Sequence, residues 1–197
     1  MIKKLIFLIF GSIGLSFAGL EPADAKQLTH PVQPGETIYT LSERYGVPEA
    51  AIMKVNDLSD SAIDAGETLT IPAAVSAAER ELLAKLVSAE AKGEPYAGKV
   101  AVATVVLNRV DNENYPDTVR DVIYEVTPSG HYAFSPVLDG AINNEPDDES
   151  RRAVTEALAF RGQGQQSLYF YNPKTATSGW VATREQTLVI GDHIFAK

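Results

Sequence analysis

The chain contains no cysteine, and this absence limits both its stability and its chemistry. Without cysteine there are no disulfides, so stability must come from packed apolar cores. A cysteine nucleophile and a lipid-modified cysteine are excluded for the same reason. Histidine is also scarce: His30, His131 and His193 are scattered without metal-ligand spacing, and no glycine-rich phosphate loop is present. We therefore expect no metal site and no cofactor.

Basic side chains are outnumbered, with 17 Lys and Arg against 26 Asp and Glu and a net charge of −9. An acidic surface repels nucleic acid and anionic lipid, so neither is expected as a partner. A polymer bound by such a protein should be neutral where the protein contacts it, or should be bound through stacking and hydrogen bonds. The hydrophobic content of 45% is typical of a globular protein.

Residues 1–25 have the form of a secretory signal peptide. Lys3 and Lys4 precede an apolar stretch at 5–20, and Ala23-Asp24-Ala25 supplies a cleavage site. We expect removal after export; the alternative is an uncleaved anchor, because the apolar run is long for a signal. No second apolar span follows, so the mature protein is expected outside the membrane, as a monomer with one small module and one ordinary domain.

Residues 28–72 predict a small module whose size leaves room for little beyond binding. Its order is strand, helix, helix, strand. In sequence these are a strand at 30–32, a helix capped by Thr37 and ended by Gly46, a helix from Pro48 to about Asn56, and a strand at 68–71.

The segment HPVQPGETIYTLSERYGVPEAAIMKVNDLSDSAIDAGETLTIP resembles a LysM repeat along its whole length. The matching features are the PGET turn, the helix ending in RYGV, the helix ending in Asn, and the closing GETLTIP. The resemblance implies that N-acetylglucosamine-containing glycan binds in a groove between the loop after the first strand and the loop after the second helix. The residues it implies are Gly35, Glu36, Thr37, Ile38, Asn56, Ile63 and Asp64, with Gly35 alternatively serving the turn and Ile38 the core.

Residues 73–79 form a short linker and a helix start, in which Ser76 and Glu79 make a capping box. Helices come first and strands later in the remaining chain, which predicts an α+β domain. The expected elements are an apolar stretch at 100–107 that is either helix or strand, a helix at 151–160, and strands at 167–171 and 186–190.

One glutamate falls on the apolar face of the helix that begins near Ser76. Leu83, Leu86, Val87 and Glu90 have the spacing i, i+3, i+4 and i+7, which is a single helical face. Burying a carboxylate costs desolvation free energy, so a carboxyl group at such a position is retained where its raised pKa is useful. Glu90 is therefore the candidate general acid.

Several motifs after the linker resemble the SleB-like cell-wall hydrolases, the spore cortex-lytic enzymes and their vegetative relatives. They are LVSAEAKGEPYAGKVAVATVVLNRV, YAFSPVLDGAINNEP, LYFYNPKTATSGW and IGDHIFAK, which together cover nearly all of residues 80–197. The resemblance implies a lysozyme-like fold with two lobes around a glycan cleft, and Glu90 as catalytic acid. It implies a secreted, wall-associated protein. Its location, whether spore cortex, spore coat or vegetative wall, stays open, because a LysM replaces the binding repeat often found in spore enzymes.

The family's activities are lytic transglycosylation or, by older description, amide cleavage. Ordinary inverting and retaining glycosidases need a second carboxylate, whereas a lytic transglycosylase uses the sugar's own 6-hydroxyl. The other acids, which are Glu94, Asp139 and the run Asp147–Glu149, are expected to have turn or cap roles. We therefore expect a lytic transglycosylase acting on peptidoglycan strands; the alternatives are an N-acetylmuramoyl-L-alanine amidase and a non-catalytic wall-binding protein.

Aromatic platforms and amides usually line glycan clefts. Alternation along 167–171 puts Tyr169 and Tyr171 on one face and Leu168 and Phe170 on the other, so the tyrosines are expected in the cleft. Asn108 and Arg109 are expected to be structural. The full set of predicted substrate-binding residues is Tyr96, Phe134, Ser135, Tyr169, Tyr171, Asn172, Ser178 and Trp180.

Overall fold

The computed structural model describes residues 28–127, 130–176 and 179–197. The expected signal peptide at 1–25 and Ser178 lie outside the described residues. The strands are β1 Leu28–Pro31, β2 Thr68–Ile71, β3 Tyr169–Tyr171, β4 Gln186–Ile190 and β5 His193–Ala196. The helices are α1 Ile38–Tyr45, α2 Glu49–Val55, α3 Ala77–Glu90, α4 Tyr96–Val110, α5 Val119–Ile123, α6 Ser135–Asp139 and α7 Asp148–Ala159, with single 3-10 turns at Ala141–Asn143 and Val181–Thr183.

The N-terminal domain has the predicted strand-helix-helix-strand order. Its β1 and β2 pair in antiparallel fashion, with Leu28 opposite Ile71 and Pro31 opposite Thr68. Thr37 caps α1 through a capping box with Thr40, and Gly46 ends α1 in the left-handed conformation. The predicted caps of α1 are confirmed, and the apolar faces of both helices meet the sheet in one small core.

The larger domain is built around α4, which packs against α3, α5 and α7. The apolar stretch at 100–107, open to either interpretation from periodicity, lies within this 15-residue helix. Val102, Val105 and Val106 are all fully buried because neighbouring helices cover α4 on several sides. A continuous apolar run of this length is therefore a central helix here, not a central strand.

A three-stranded antiparallel sheet in the order β3-β5-β4 forms the smaller lobe. The predicted strand at 186–190 is confirmed, and the one expected at 167–171 is shorter, beginning at Tyr169. Ser167 is instead buried, with its hydroxyl 2.7 Å from that of Thr187. The central strand β5 was not predicted, because its four residues carry too short a pattern. Helical lobe and sheet together confirm the α+β class.

Within the described residues, no helix is both long enough and apolar enough to cross a membrane.

The two domains are joined by more than the linker. Arg161 forms a buried ion pair with Asp111 (2.6 Å) and donates from Nη1 to the linker carbonyl of Ala73 (2.8 Å). Lys54 of α2 donates to Asn108 Oδ1 of α4 at 3.1 Å. Gly162 lies so close to α2 that a methyl group on it would be 2.5 Å from the Ala50 carbonyl. The small domain is therefore docked on the larger one.

Candidate active site

Glu90 is the last residue of α3, one turn beyond a fully buried apolar face. Leu83, Leu86 and Val87 on that face have no solvent exposure, and Glu90 itself is partly buried. The helix ends here because Ala91 leaves the helical conformation before Gly93, which has φ +83°. The predicted position in the last turn is confirmed.

The surroundings of Glu90 favour its protonated form. Burial removes water from the carboxyl group and raises its pKa, and the negative charge of Asp139 raises it further, to about 7. The nearby backbone N–H of Ser135 stabilises the charged form of the group, which lowers its pKa and opposes these two effects. A carboxylic acid with this pKa still holds its proton near neutral pH, as a general acid must.

The segment that faces Glu90 is the short helix α6. Ser135 begins it and is exposed, and Gly140 ends it in the left-handed conformation with φ +83°. Asp139, at its end, accepts a hydrogen bond from the Ala141 N–H at 2.8 Å, so the expected Asx turn is confirmed. Its electrostatic effect on Glu90 was missed, because sequence spacing does not reveal that two elements come together.

Phe134 is not a sugar platform, and that prediction is wrong. Its ring is 3% exposed and stacks on Phe170 with centroids 6.3 Å apart. The guanidinium of Arg109 lies 5.1 Å from its centroid. Phe134 therefore anchors the start of α6 in the core, while the following residue, Ser135, is exposed.

Two of the predicted platforms do meet, at the edge of the sheet. Trp180 is 52% exposed, and its ring makes an edge-to-face contact with Tyr169 at 5.2 Å. The Arg184 guanidinium covers the Trp180 ring at 4.0 Å. Phe170 packs against the core, as alternation along the strand predicts, while Tyr169 and Tyr171 are half-buried.

Two other predicted contacts have their polar groups engaged within the protein. The Tyr96 hydroxyl donates to Glu156 of α7 at 2.8 Å. The Asn172 side-chain oxygen accepts from the Lys174 N–H at 2.9 Å, which is a turn interaction. Neither observation brings these side chains to Glu90.

The other candidate acids have structural roles, and only that of Glu94 differs from the turn or cap role expected for it. Glu94 accepts from the Asp192 N–H at 3.1 Å and so joins the α3–α4 loop to the β4–β5 turn. Asp147 caps α7 by accepting from the Ser150 N–H at 2.6 Å and pairs with the buried amine of Lys99. Among the described residues, Asp139 is thus the one carboxylate that perturbs Glu90.

In the LysM domain the structure contradicts one groove prediction and shows the hydrogen-bond partners of two other candidates. Ile38 has no exposed surface and belongs to the core, so its side chain cannot contact glycan. Glu36 is bound by the Gln33 amide, by His30 (2.6 Å) and by Arg44 (2.6 Å), and its pKa falls to about 2. Asn56 exchanges hydrogen bonds with Thr70 and donates to the Ile52 carbonyl. These polar groups are occupied in holding the domain together.

The other groove candidates remain accessible. Gly35 is exposed in a turn that needs its φ of +84°, Thr37 and Asp64 are exposed, and Ile63 is half-buried. They lie on the loops that leave Pro31 and approach Thr68, at one end of the β1–β2 pair.

In the part of the chain that the structure describes, no group of three or more His, Cys, Asp or Glu is arranged to hold a metal ion.

Comparison with known proteins agrees with this architecture. The LysM domain profile matches residues 30–72, and the Cell Wall Hydrolase profile matches residues 93–196. Glu90 lies just ahead of the second range, so its assignment depends on the motif around it and on the geometry above.

A spore cortex-lytic enzyme of Oceanobacillus iheyensis is 45% identical over 140 residues, covering 70% of this chain and 49% of that protein. The present chain thus spans about half the length of that relative. The catalytic domain of the Bacillus cereus SleB protein is similar in structure, with 43% identity, a TM-score of 0.57, and coverage of 64% of this chain and 95% of that one. The catalytic domain of the germination-specific lytic transglycosylase SleB from Bacillus anthracis has 42% identity and the same TM-score, covering 64% of this chain and all of that one.

These structures confirm the lysozyme-like fold predicted for the larger domain. With a family profile over half of its length and an N-terminal LysM domain, the chain belongs to the Cell Wall Hydrolase family.

Proposed function

We propose that this protein is an exported peptidoglycan-cleaving enzyme of the lytic transglycosylase type. It cuts the bond between N-acetylmuramic acid and N-acetylglucosamine, with Glu90 acting first as acid and then as base. The observation that carries the proposal is the raised pKa of Glu90, about 7, at the end of a buried helix face. The relatives named above support the wall as substrate.

In the first step Glu90 donates its proton to the glycosidic oxygen. The bond between that oxygen and C1 of N-acetylmuramic acid breaks, and positive charge develops on the sugar ring. The N-acetylglucosamine side leaves with the proton. The Glu90 carboxylate that remains is stabilised by the Ser135 N–H, which acts on the charged form of the group.

In the second step the 6-hydroxyl of the same N-acetylmuramic acid attacks C1. Glu90 takes the hydroxyl proton, a 1,6-anhydro ring closes, and the acid is regenerated. An internal nucleophile of this kind has an effective molarity of roughly 10⁵ M or more, so it competes with water. One carboxyl group is enough for both proton transfers.

The position of Asp139 supports this mechanism over ordinary hydrolysis. A hydrolase needs its second carboxylate to activate water or to attack the sugar. The Asp139 carboxylate instead accepts from the Ala141 N–H, and its charge acts on the pKa of Glu90. We propose that Asp139 maintains the protonated acid and takes no covalent part.

The LysM domain supplies affinity for wall glycan in this proposal. Its exposed loops around Gly35 and Asp64 form the binding groove, and the net charge of −9 makes a neutral glycan a fitting ligand. Export by the N-terminal signal brings the protein to the wall.

Digestion of purified peptidoglycan followed by mass analysis tests the proposal. The expected products end in anhydro-muramic acid, lighter by one water than a hydrolysed end. Free reducing ends would instead indicate a hydrolytic glycosidase, and free alanine amines an amidase. No released fragments would indicate a binding protein. Glu90→Gln should release nothing, and a fully active Glu90→Gln protein would overturn the assignment of the acid.

A further inference from the structure

Arg109 is a buried cation that the mechanism above does not use. It lies near the end of α4 and is 8% exposed. Its Nε donates to the Leu168 carbonyl at 2.8 Å, and Glu125 supplies a more distant negative charge. Burying a guanidinium costs desolvation free energy, which indicates that Arg109 is kept at this position for a specific role.

The guanidinium lies against three aromatic rings instead of a carboxylate. The distances from its central carbon to the ring centroids are 5.2 Å for Tyr115, 5.1 Å for Phe134 and 5.7 Å for Tyr169. Cation–π attraction is effective within about 6 Å of a centroid. The rings come from the loop after α4, the segment before α6, and strand β3, so one side chain joins three separate segments of the chain.

The Phe134 ring connects Arg109 to Glu90. Phe134 immediately precedes Ser135, whose backbone N–H stabilises the charged form of Glu90. The Phe134 ring has Arg109 at 5.1 Å and Phe170 at 6.3 Å, so these two contacts restrict the position of the backbone that leads into Ser135. A displaced ring would carry the Ser135 amide away from the acid.

The Tyr169 ring connects Arg109 to Trp180. Tyr115 donates a hydrogen bond to the Tyr169 hydroxyl at 2.8 Å, so two of the three rings are also joined to each other. Tyr169 in turn supports Trp180 through the edge-to-face contact at 5.2 Å. The exposed indole is the strongest candidate for stacking on a sugar.

We propose that Arg109 is a positioning residue, which holds Phe134 and Tyr169 so that the Ser135 amide meets Glu90 and Trp180 faces the substrate. The inference rests on the proposed function for its kinetic part. Lysine is a poor replacement, because its compact ammonium group lacks the planar face that a guanidinium presents to aromatic rings.

The test compares Arg109→Lys and Arg109→Met with Arg120→Met. Arg120 is a matched control, because its guanidinium lies 5.1 Å from the Tyr124 ring but is exposed to solvent. Four quantities are measured: the melting temperature, kcat and KM on peptidoglycan, the pH profile of kcat, and tryptophan fluorescence. Trp180 is the single tryptophan of the chain, so the emission reports on its surroundings directly.

For Arg109→Lys we expect a folded protein whose kcat falls roughly 10- to 100-fold, because small misplacements near the reacting atoms have effects of this size. The basic limb of the pH profile should move to higher pH, since the Ser135 N–H that lowers the pKa of Glu90 is displaced. The Trp180 emission should shift. Arg120→Met should leave all four quantities unchanged.

A purely structural role would lower the melting temperature alone. If Arg109→Lys keeps the wild-type kcat, pH profile and Trp180 emission, the proposal is overturned. If both Arg109 variants fail to fold, Phe134→Leu replaces them, because it removes the stacked ring and keeps an apolar side chain. An unchanged pH limb in Phe134→Leu would then overturn the proposal.

Failure of the proposed function is distinguishable from failure of this inference. Inactive wild-type protein would refute the function, while the fluorescence comparison would still decide whether Arg109 sets the position of Trp180.

Discussion

A carboxylic acid that donates a proton near neutral pH needs surroundings that disfavour its charge. Glu90 has two: the apolar face of α3, which removes water, and the negative charge of Asp139. The first is readable from sequence, because Leu83, Leu86 and Val87 share the spacing of one helical face with Glu90. The second depends on a contact between separate elements.

The contribution of Asp139 can be measured through Asp139→Asn. Removing the like charge should lower the pKa of Glu90 and move the basic limb of the activity profile to lower pH, by a few tenths of a unit because Asp139 is exposed. A pH series of kcat measures the shift. Asp148→Asn, which removes an exposed charge on α7, is the control. Identical basic limbs in Asp139→Asn and wild type would contradict this role, and loss of all activity would make Asp139 a catalytic residue.

Glu90 should also lower the stability of the folded protein as pH rises. Its folded pKa is about 7 against an ordinary value of 4.5, so both states are protonated below 4.5. Between pH 4.5 and 7 the unfolded carboxyl ionises while the folded one keeps its proton, and stability falls. Glu90→Gln should therefore equal wild type at pH 4 and exceed it at pH 8 by about 2 kcal/mol, reduced from the full value because Glu90 is partly exposed. Urea unfolding at the two pH values measures this, and a difference that does not grow with pH would refute it.

The sequence shows directly which residues are polar or aromatic, but it does not show which way their side chains face. Ile38 and Phe134 were expected to contact glycan, yet both are buried in the cores of their domains. Nothing in an isolated loop residue distinguishes a platform from an anchor. Trp180 is exposed, and its ring contacts Tyr169 and Arg184. The sequence pattern around Trp180 does not reveal these contacts.

Among elements, those with strong local signals were predicted well. Thr37 caps α1 and the Ser76–Glu79 capping box begins α3, both as expected, because each signal lies within a few residues of the helix start. Strand β5 has no such local signal and is held in place by pairing with β3 and β4. Its position could be found only from the assembled sheet.

Asn56 gives a prediction at the scale of two elements. It links α2 to β2 by donating to the Ile52 and Thr70 carbonyls and accepting from the Thr70 N–H. Asn56→Ala should lower the free energy of unfolding of the LysM domain by about 2–3 kcal/mol. Chemical denaturation measures this, with the exposed Ser61→Ala as control. Weakened glycan binding without a change in stability would contradict this structural role and support the predicted glycan contact of Asn56.

At the scale of the whole molecule, the LysM domain is docked at one end and free at the other. The linker leaves from Ile71, beside the contacts of Arg161 and Lys54 with their partners. The loops expected to bind glycan lie at the opposite end of the β1–β2 pair, near Pro31 and Thr68. Docking therefore leaves the expected groove open. The short linker was predicted, but the docking was not, because Gly162 and Ala50 are distant in sequence.

Gly162 and Gly164 form a matched pair for testing the docking. Both have positive φ, at +89° and +91°, so alanine is strained at either position. Only Gly162 approaches α2, whereas a methyl group on Gly164 meets no atom within 4 Å. Gly164→Ala should cost about 1 kcal/mol in a single unfolding transition. Gly162→Ala should separate the LysM transition from that of the larger domain in calorimetry, and indistinguishable profiles would contradict the docked arrangement.

The proposed mechanism requires that the sugar's own hydroxyl, and not water, attacks C1 of N-acetylmuramic acid. Digestion of peptidoglycan in water enriched in heavy oxygen measures this directly, by mass analysis of the new muramic ends. We expect anhydro ends that contain no solvent oxygen, with no product from Glu90→Gln. Heavy oxygen at the new ends would contradict the account, because it would mean that water is the nucleophile and that Glu90 has a second catalytic partner.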